Sequence, residues 1–418
     1  MPSPPFDRHI ERRTLLKAGL AIGAAQFASP FVSRAAAAKK YDTGATDSQI
    51  MVGNINPYSG PLSSYSEIGK TQAAYFHMLN EQGGINGRTI KFISYDDAYT
   101  PPKTVEQARR LVEEDEVLLI FNSLGTPPNS AIEKYMNIKK VPQLFVATGA
   151  TKWNDPKHFP WTMGWQPSYQ SEGRVYAEYL IKNHPNGKIA ILYQDDDYGK
   201  DYVKGLKDGL DGKLTIAKEL SYEVTEPTID SQIITLQASG ADVFYNVTTP
   251  KFAAQAITRM ATLRWKPVHI LNNVSASVGA VLKPAGLENS SGILSTNYLK
   301  DPTDPQWKND PPFKSWVSFM DRHYPQGDKE SAFTIYGYAT AQTLAQVLKQ
   351  CGDELTRDNV MKQAANLHNL QLGLLLPGIS INTGPHDYAP IKQLQLAKFN
   401  GERWELFGPV INGGVSAS

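Results

Sequence analysis

Apolar runs of strand length alternate with longer segments of helical period along most of the chain. Residues 50–55 and 90–95 read as strands, whereas 70–81 places Ala73, Ala74, Phe76, Met78 and Leu79 at helical spacing. An amphipathic helix is expected over 105–114, a buried strand over 117–121, a helix over 131–139 and a strand over 143–147. The pattern restarts at Ser168. Helices are predicted at 171–183, 198–210, 229–239 and 251–263, and strands at 188–193, 215–222, 243–246 and 268–271. This alternation is the βαβ rhythm of a parallel sheet covered by helices on both faces.

Beyond it, residues 301–312 carry Pro302, Pro305, Pro311 and Pro312 among polar residues, which reads as a surface loop. Helices over 313–324 and 331–350 suggest a return to the first unit. Residues 393–399 and 404–407 around Asn400-Gly401 read as a hairpin.

Ahead of residue 39 the pattern changes. Arg12-Arg13-Thr14-Leu15-Leu16-Lys17 runs into small, apolar residues 18–28 and ends at Ala35-Ala36-Ala37-Ala38. A paired-arginine start, a short apolar stretch and a small-residue exit describe an export signal of the twin-arginine type, cleaved near Ala37 or Ala38, and imply a periplasmic protein. Glu11 and Leu15 depart from the usual Ser and Phe of such signals. Gln26, Ser29, Pro30 and Arg34 interrupt the stretch, which falls short of the roughly 20 apolar residues a spanning helix needs. No lipid-attachment cysteine follows.

Without residues 1–38, about 380 of the 418 residues remain, too many for one ordinary core and suited to two lobes. The removed segment holds five basic and two acidic residues, so the net charge of +1 becomes −2. Such a near-neutral chain has no electrostatic footprint for nucleic acid. The single cysteine, Cys351, can form no intramolecular disulfide, and its place near the end of an apolar helix reads as packing.

Catalytic and cofactor motifs are not legible. Gly69-Lys70-Thr71 resembles the end of a phosphate-binding loop, but its first glycine is replaced by Ser64. The eight histidines show no zinc-ligand spacing. Asp195-Asp196-Asp197 reads as a solvated loop after a strand, and no nucleophile elbow is present. The chain is therefore not expected to be an enzyme, and neither cofactor nor metal is expected. What stands out is a set of small, polar loops after strands: Asn56 to Pro61, Asn122 to Thr126, and Ala147 to Thr151. In open α/β sheets ligands sit beyond the carboxyl ends of strands, where amides and hydroxyls suit an anion such as a carboxylate. Ordinary turn and N-cap chemistry would use the same residues.

These loops, with Asn80-Glu81-Gln82-Gly83-Gly84-Ile85-Asn86-Gly87-Arg88, Tyr95-Asp96-Asp97, Tyr198-Gly199 and Gly337-Tyr338, make the chain resemble the leucine/isoleucine/valine-binding family of extracytoplasmic solute-binding proteins over nearly its whole length. The resemblance implies an α/β fold of type I periplasmic binding proteins, with two Rossmann-like lobes, parallel central sheets and three crossings. The lobes would comprise 48–165 plus 297–375 and 166–296 plus 376–418. It implies a monomer that binds a small-molecule solute and delivers it to ABC permease membrane subunits with a cytoplasmic ATPase.

By the same resemblance, Ser123, Leu124, Gly125 and Thr126, together with Ala147, Thr148 and Gly149, would hold the α-carboxylate of an amino acid. Tyr65 and Tyr198 would pack on the ligand from opposite lobes. Trp165, at the first crossing, would either wall the cleft or serve as packing between the lobes. Tyr99 and Leu124 replace a disulfide pair found in some members. Where amino-acid binders place an acid against the ammonium, this chain has Asn272-Asn273-Val274-Ser275, and Thr248 replaces an aromatic near the amino group. Either Asp97, Asp196 or Glu223 takes over the ammonium, or the ligand has none and Asn273 meets a neutral polar group. A branched-chain or other amino acid is then the default ligand. An aromatic or aliphatic carboxylic acid, or an amide, is the alternative, and a ligand sensor for a receptor is the alternative class.

Overall fold

The computed structural model describes residues 39–413; the expected export signal, residues 1–38, lies outside the described residues. The first lobe is laid down as β1 (Lys40–Tyr41), β2 (Gln49–Asn56), α1 (Ser66–Glu81), β3 (Thr89–Asp96), α2 (Pro101–Arg109), β4 (Leu119–Phe121), α3 (Thr126–Lys139), β5 (Gln143–Val146) and β6 (Thr162–Gly164). The chain then crosses over. The second lobe is built from α4 (Tyr169–Asn183), β7 (Lys188–Gln194), α5 (Asp197–Leu210), β8 (Thr215–Tyr222), α6 (Asp230–Ala238), β9 (Val243–Val247), α7 (Pro250–Leu263), β10 (Val268–Leu271), α8 (Lys283–Ala285) and β11 (Leu294–Asn297). A second crossing leads to α9 (Pro311–His323), α10 (Ala332–Cys351), β12 (Glu354–Leu355) and α11 (Arg357–Ala364). A third leads to β13 (Gln393–Phe399) and β14 (Trp404–Asn412).

The first sheet is five-stranded and parallel, in the order β3-β2-β4-β5-β6. The second has seven strands in the order β14-β13-β11-β10-β9-β7-β8. It is parallel from β8 to β11 and antiparallel where β13 and β14 close its edge. Strands β4, β5 and β9 are buried throughout, as a sheet covered on both faces requires.

Helix α10 joins the first lobe by packing on α1. The Tyr75 and Tyr338 rings meet edge to face at 5.1 Å, and a side chain at Gly337 would begin 2.8 Å from the Ile68 carbonyl, so glycine permits the close approach. Cys351 ends this helix buried, and burial pushes its thiol up to about 12, which makes it an inert core residue.

Several boundaries differ from the sequence pattern. Helices α2 and α3 start earlier than their apolar periodicity, because Pro101-Pro102 and Pro127-Pro128 occupy first-turn positions that need no donor. Strands β6 and β11 are short, and β11 is a buried Leu-Ser-Thr-Asn run without alternation. The 301–312 segment is not purely a surface loop: Lys300, Asp301 and Asp304 are buried. Lys300 pairs with Asp310 at 2.5 Å, and Asp301 accepts from the Thr303 amide and hydroxyl. Nor is Asp196 simply solvated, since it caps α5 by accepting from the Tyr198 and Gly199 amides.

Candidate ligand-binding cleft

A cavity of about 870 Å³, counting the part open to solvent, lies beyond the carboxyl ends of strands from both sheets. On the first-lobe side, the turn after β4 supplies Leu124, Gly125 and Thr126, and the turn after β5 supplies Ala147. Gly125 has φ +98°, and a side chain there would lie 2.3 Å from the Tyr99 ring. Only glycine lets the backbone pass so close to that wall.

The first turn of α3 has few free amides. Positions 127 and 128 are proline, and the Asn129 amide donates to the Gly125 carbonyl, which leaves the amide of Thr126. The Thr126 and Thr148 hydroxyls are 2.6 Å apart, and the Trp153 indole N–H donates to Thr148 at 3.3 Å. Ser123 turns away to hydrogen-bond Asn129, whose Nδ2 in turn holds the Ser123 and Gly125 carbonyls at 2.8 Å. The loop is thus a rigid wall with one amide and paired hydroxyls near its face.

The second-lobe side is organised around a buried carboxylate. Glu172 accepts from the Tyr176 hydroxyl at 2.6 Å, the Tyr202 hydroxyl at 2.7 Å and the Asn273 amide at 2.7 Å. Burial raises its carboxyl above the ordinary range, and these hydrogen bonds oppose that shift. The Asn273 side-chain nitrogen donates to the Thr296 carbonyl and faces Asn297 Oδ1 at 3.4 Å, so Oδ1 is the remaining polar atom. Asn272 is oriented with its oxygen accepting from the Tyr198 hydroxyl at 2.6 Å and its nitrogen donating to the Asn246 and Thr248 carbonyls.

Aromatic residues complete the cavity: Tyr65, Tyr99, Tyr169, Tyr198, Tyr298, Phe333 and Tyr336. Several hydroxyls are already committed to protein groups. Tyr65 reaches across the cleft to the Val274 carbonyl at 3.0 Å, Tyr198 bonds Asn272, and Tyr336 lies 3.4 Å from Asn122 Nδ2. Other bonds join the lobes as well. The Thr151 amide and hydroxyl donate to Asp201 at 2.8 and 2.9 Å, and the Ala332 amide donates to Ser277 at 3.1 Å. The lobes are therefore closed on each other.

Of the residues expected at the site, Tyr65, Leu124, Gly125, Thr126, Ala147, Tyr198 and Asn273 line this cavity. Thr148 and Gly149 line a smaller adjoining pocket that shares Gln166 with it. Ser123, Trp165 and Thr248 line neither. Ser123 is held by Asn129, and Trp165 donates to Thr343 at 2.9 Å behind Tyr336. The Thr248 hydroxyl donates to Asn246 at 2.7 Å.

None of the three acids considered for an ammonium lines the cavity either. Asp97 is buried against Thr104 and the Tyr99 amide, Asp196 caps α5, and Glu223 is exposed. The acid that does line it is Asp301, whose carboxyl burial pushes up to about 6. Tyr169, Tyr298, Phe333 and Tyr336 went unnoticed in the sequence. Phe333 and Tyr336 are an i,i+3 aromatic pair at the start of α10, and Tyr169 directly follows the Ser168 N-cap of α4; those placements were the available signals.

A profile described as periplasmic binding protein matches residues 49–403. Leu/Ile/Val-binding protein homolog 1 of Brucella abortus (strain 2308) is 27% identical over 320 residues, covering 74% of this chain and 80% of that protein. Among solved structures, a branched-chain amino acid ABC transporter protein from Thermus thermophilus with bound valine superposes with a TM-score of 0.80 at 14% identity, covering 88% of this chain and 97% of that one. A fatty acid ABC transporter substrate-binding protein from Thermomonospora curvata gives 0.76 at 20% identity, covering 90% and 95%. Both share the two-lobed α/β fold. The chain belongs to the periplasmic binding protein family, whose members bind solutes and are not enzymes.

Proposed function

We propose that this protein is the periplasmic substrate-binding component of an ABC importer, and that its ligand is a small carboxylate whose aromatic or aliphatic body carries no ammonium. The observation that carries this reading is the Thr126 amide and hydroxyl on one wall, the hydroxyl backed by Thr148 at 2.6 Å, facing ring faces and an already bonded Asn273 on the other. Hydroxyls and an amide donated to a carboxylate form charge-assisted bonds roughly twice as strong as neutral ones. An ammonium enclosed beside Asn273 without a counter-charge would cost several kcal/mol.

Ligand contacts to both lobes would favour the closed form, which is the form presented to the permease. The export signal read in residues 1–38 supports a periplasmic location. A second reading, an amino acid, is favoured by Asp301 in the cavity lining and by the names of the Brucella and Thermus proteins.

A thermal-shift panel of amino acids, their deaminated analogues, aromatic acids and small amides separates the two, because a ligand of the native state stabilises it by RT ln(1 + [L]/Kd). Stabilisation by acids without an amino group supports the proposal. Stabilisation confined to amino acids, and abolished by Asp301→Asn, establishes the second reading in its place.

A further inference from the structure

We propose that His77, Glu81 and His323 form a binding site for a divalent transition metal of the zinc class on the first lobe. None of the three lines the cleft. His77 and Glu81 are four residues apart on α1, so they project from one face of the helix, and His323 is the last residue of α9. Glu81 turns one oxygen to each imidazole: His77 Nδ1 lies 3.5 Å from Oε1, and His323 Nδ1 lies 3.4 Å from Oε2. One ligand atom from each residue falls within 4.8 Å of the others.

These separations are long for a charge-assisted hydrogen bond, which prefers about 2.7–2.9 Å. They run to different oxygens of Glu81, and rotation of the exposed His77 and Glu81 side chains is what brings one atom from each residue, already within 4.8 Å, to the spacing of a metal shell. With metal–ligand bonds of about 2.0–2.1 Å, neighbouring ligand atoms on a tetrahedron stand about 3.3–3.4 Å apart. Two imidazoles and one carboxylate are a borderline donor set that suits zinc over magnesium or calcium, and three protein ligands leave a fourth position for water.

The third ligand is held in place before any ion arrives. The His323 ring stacks on Phe319 with centroids 6.0 Å apart, and Phe319 packs against Tyr75 of α1 and Tyr338 of α10. The next residue, Tyr324, donates its hydroxyl to Glu67 of α1 at 2.8 Å. His323 is accordingly 19% exposed, against 70% and 54% for His77 and Glu81. A bound ion would clamp the end of α9 to α1 within one lobe and leave the cleft as it is.

The test uses untagged, chelator-stripped full chain titrated with Zn²⁺ by calorimetry and with Co²⁺ by visible absorption. The site predicts one saturable equivalent and a tetrahedral Co²⁺ band, both weakened roughly tenfold or more in His323→Ala and in Glu81→Gln. Absence of saturable uptake overturns the proposal, and so does uptake unchanged in both variants. Should His323→Ala melt early without metal, Glu81→Gln and the exposed His77→Ala decide the matter.

Discussion

The two walls of the cleft are built by opposite means. The first-lobe wall is backbone and hydroxyl: Gly125 lets the chain pass beside Tyr99, and the Thr126 and Thr148 hydroxyls lie 2.6 Å apart on adjacent turns. The second-lobe wall is a side-chain network anchored by Glu172, which holds the Asn273 amide at 2.7 Å while the Asn273 side chain bonds Thr296. The first keeps donors suited to an anion. On the second, Asn273 and Tyr198 have spent their donors on protein groups, and Asn273 Oδ1 is left as an acceptor. The charged residues of the lining, Lys300 and Asp301, lie on neither wall but on the segment that leaves β11 for the second crossing.

The difference can be broken most severely at its buried anchor. Glu172→Ala leaves the Tyr202 hydroxyl and the Asn273 amide without their acceptor and Tyr176 with only the Leu271 carbonyl and Thr296 hydroxyl at 3.2–3.3 Å, and unsatisfied buried donors cost about 1–3 kcal/mol each. Chemical unfolding should show a loss of about 3–5 kcal/mol, with ligand affinity falling alongside.

Asp301 gives the next largest effect, and it depends on pH. Its carboxyl is raised by burial from 3.8 to about 6, so between those values the folded state holds a proton that the unfolded chain has released. That stability is present below about pH 4 and is lost as pH rises through about 6. Relative to Asp301→Asn, the wild type should lose on the order of 3 kcal/mol of unfolding free energy between pH 4 and pH 7. Taking the difference cancels Asp196, which is also raised to about 6 by burial.

On the opposite wall the effect falls on affinity rather than stability. Thr126→Ala should weaken binding of a carboxylate ligand by about 1–3 kcal/mol, measured by calorimetry, and Thr148→Val should follow because it removes the partner that orients Thr126. The smallest effect is expected where the walls touch. Tyr65→Phe deletes the hydroxyl bond to Val274 and should weaken ligand binding by about 0.5–1.5 kcal/mol, with a more open ensemble in small-angle scattering.

Legibility in the sequence followed the same division. The βαβ rhythm was readable because β4, β5 and β9 are short, mostly apolar runs and helices such as α5 and α7 present one apolar face. Strand β11 was not, because its buried Ser295, Thr296 and Asn297 owe their conformation to β13 alongside, a pairing across about a hundred residues that no local pattern announces.

The first wall was readable for a related reason. Its loops are short, local turns directly after strands, where small and hydroxyl residues carry their own signal. On the second wall, Glu172 lies in the first turn of an amphipathic helix, where an acid is ordinary, and its role appears only when the 272–275 turn folds against it. Thr248 and Trp165 stand in cleft-like positions by sequence, yet hydrogen bonds to Asn246 and Thr343 turn them into the lobes.

The central claim is that the cleft accepts a carboxylate with an apolar body and rejects its α-amino counterpart. Calorimetric titration with matched pairs, 4-methylpentanoate against leucine and 3-phenylpropanoate against phenylalanine, tests it most directly. At least one acid should bind roughly tenfold or more tightly than its amino acid, and Thr126→Ala should weaken that binding. Tighter binding of the amino acid in both pairs would contradict the account.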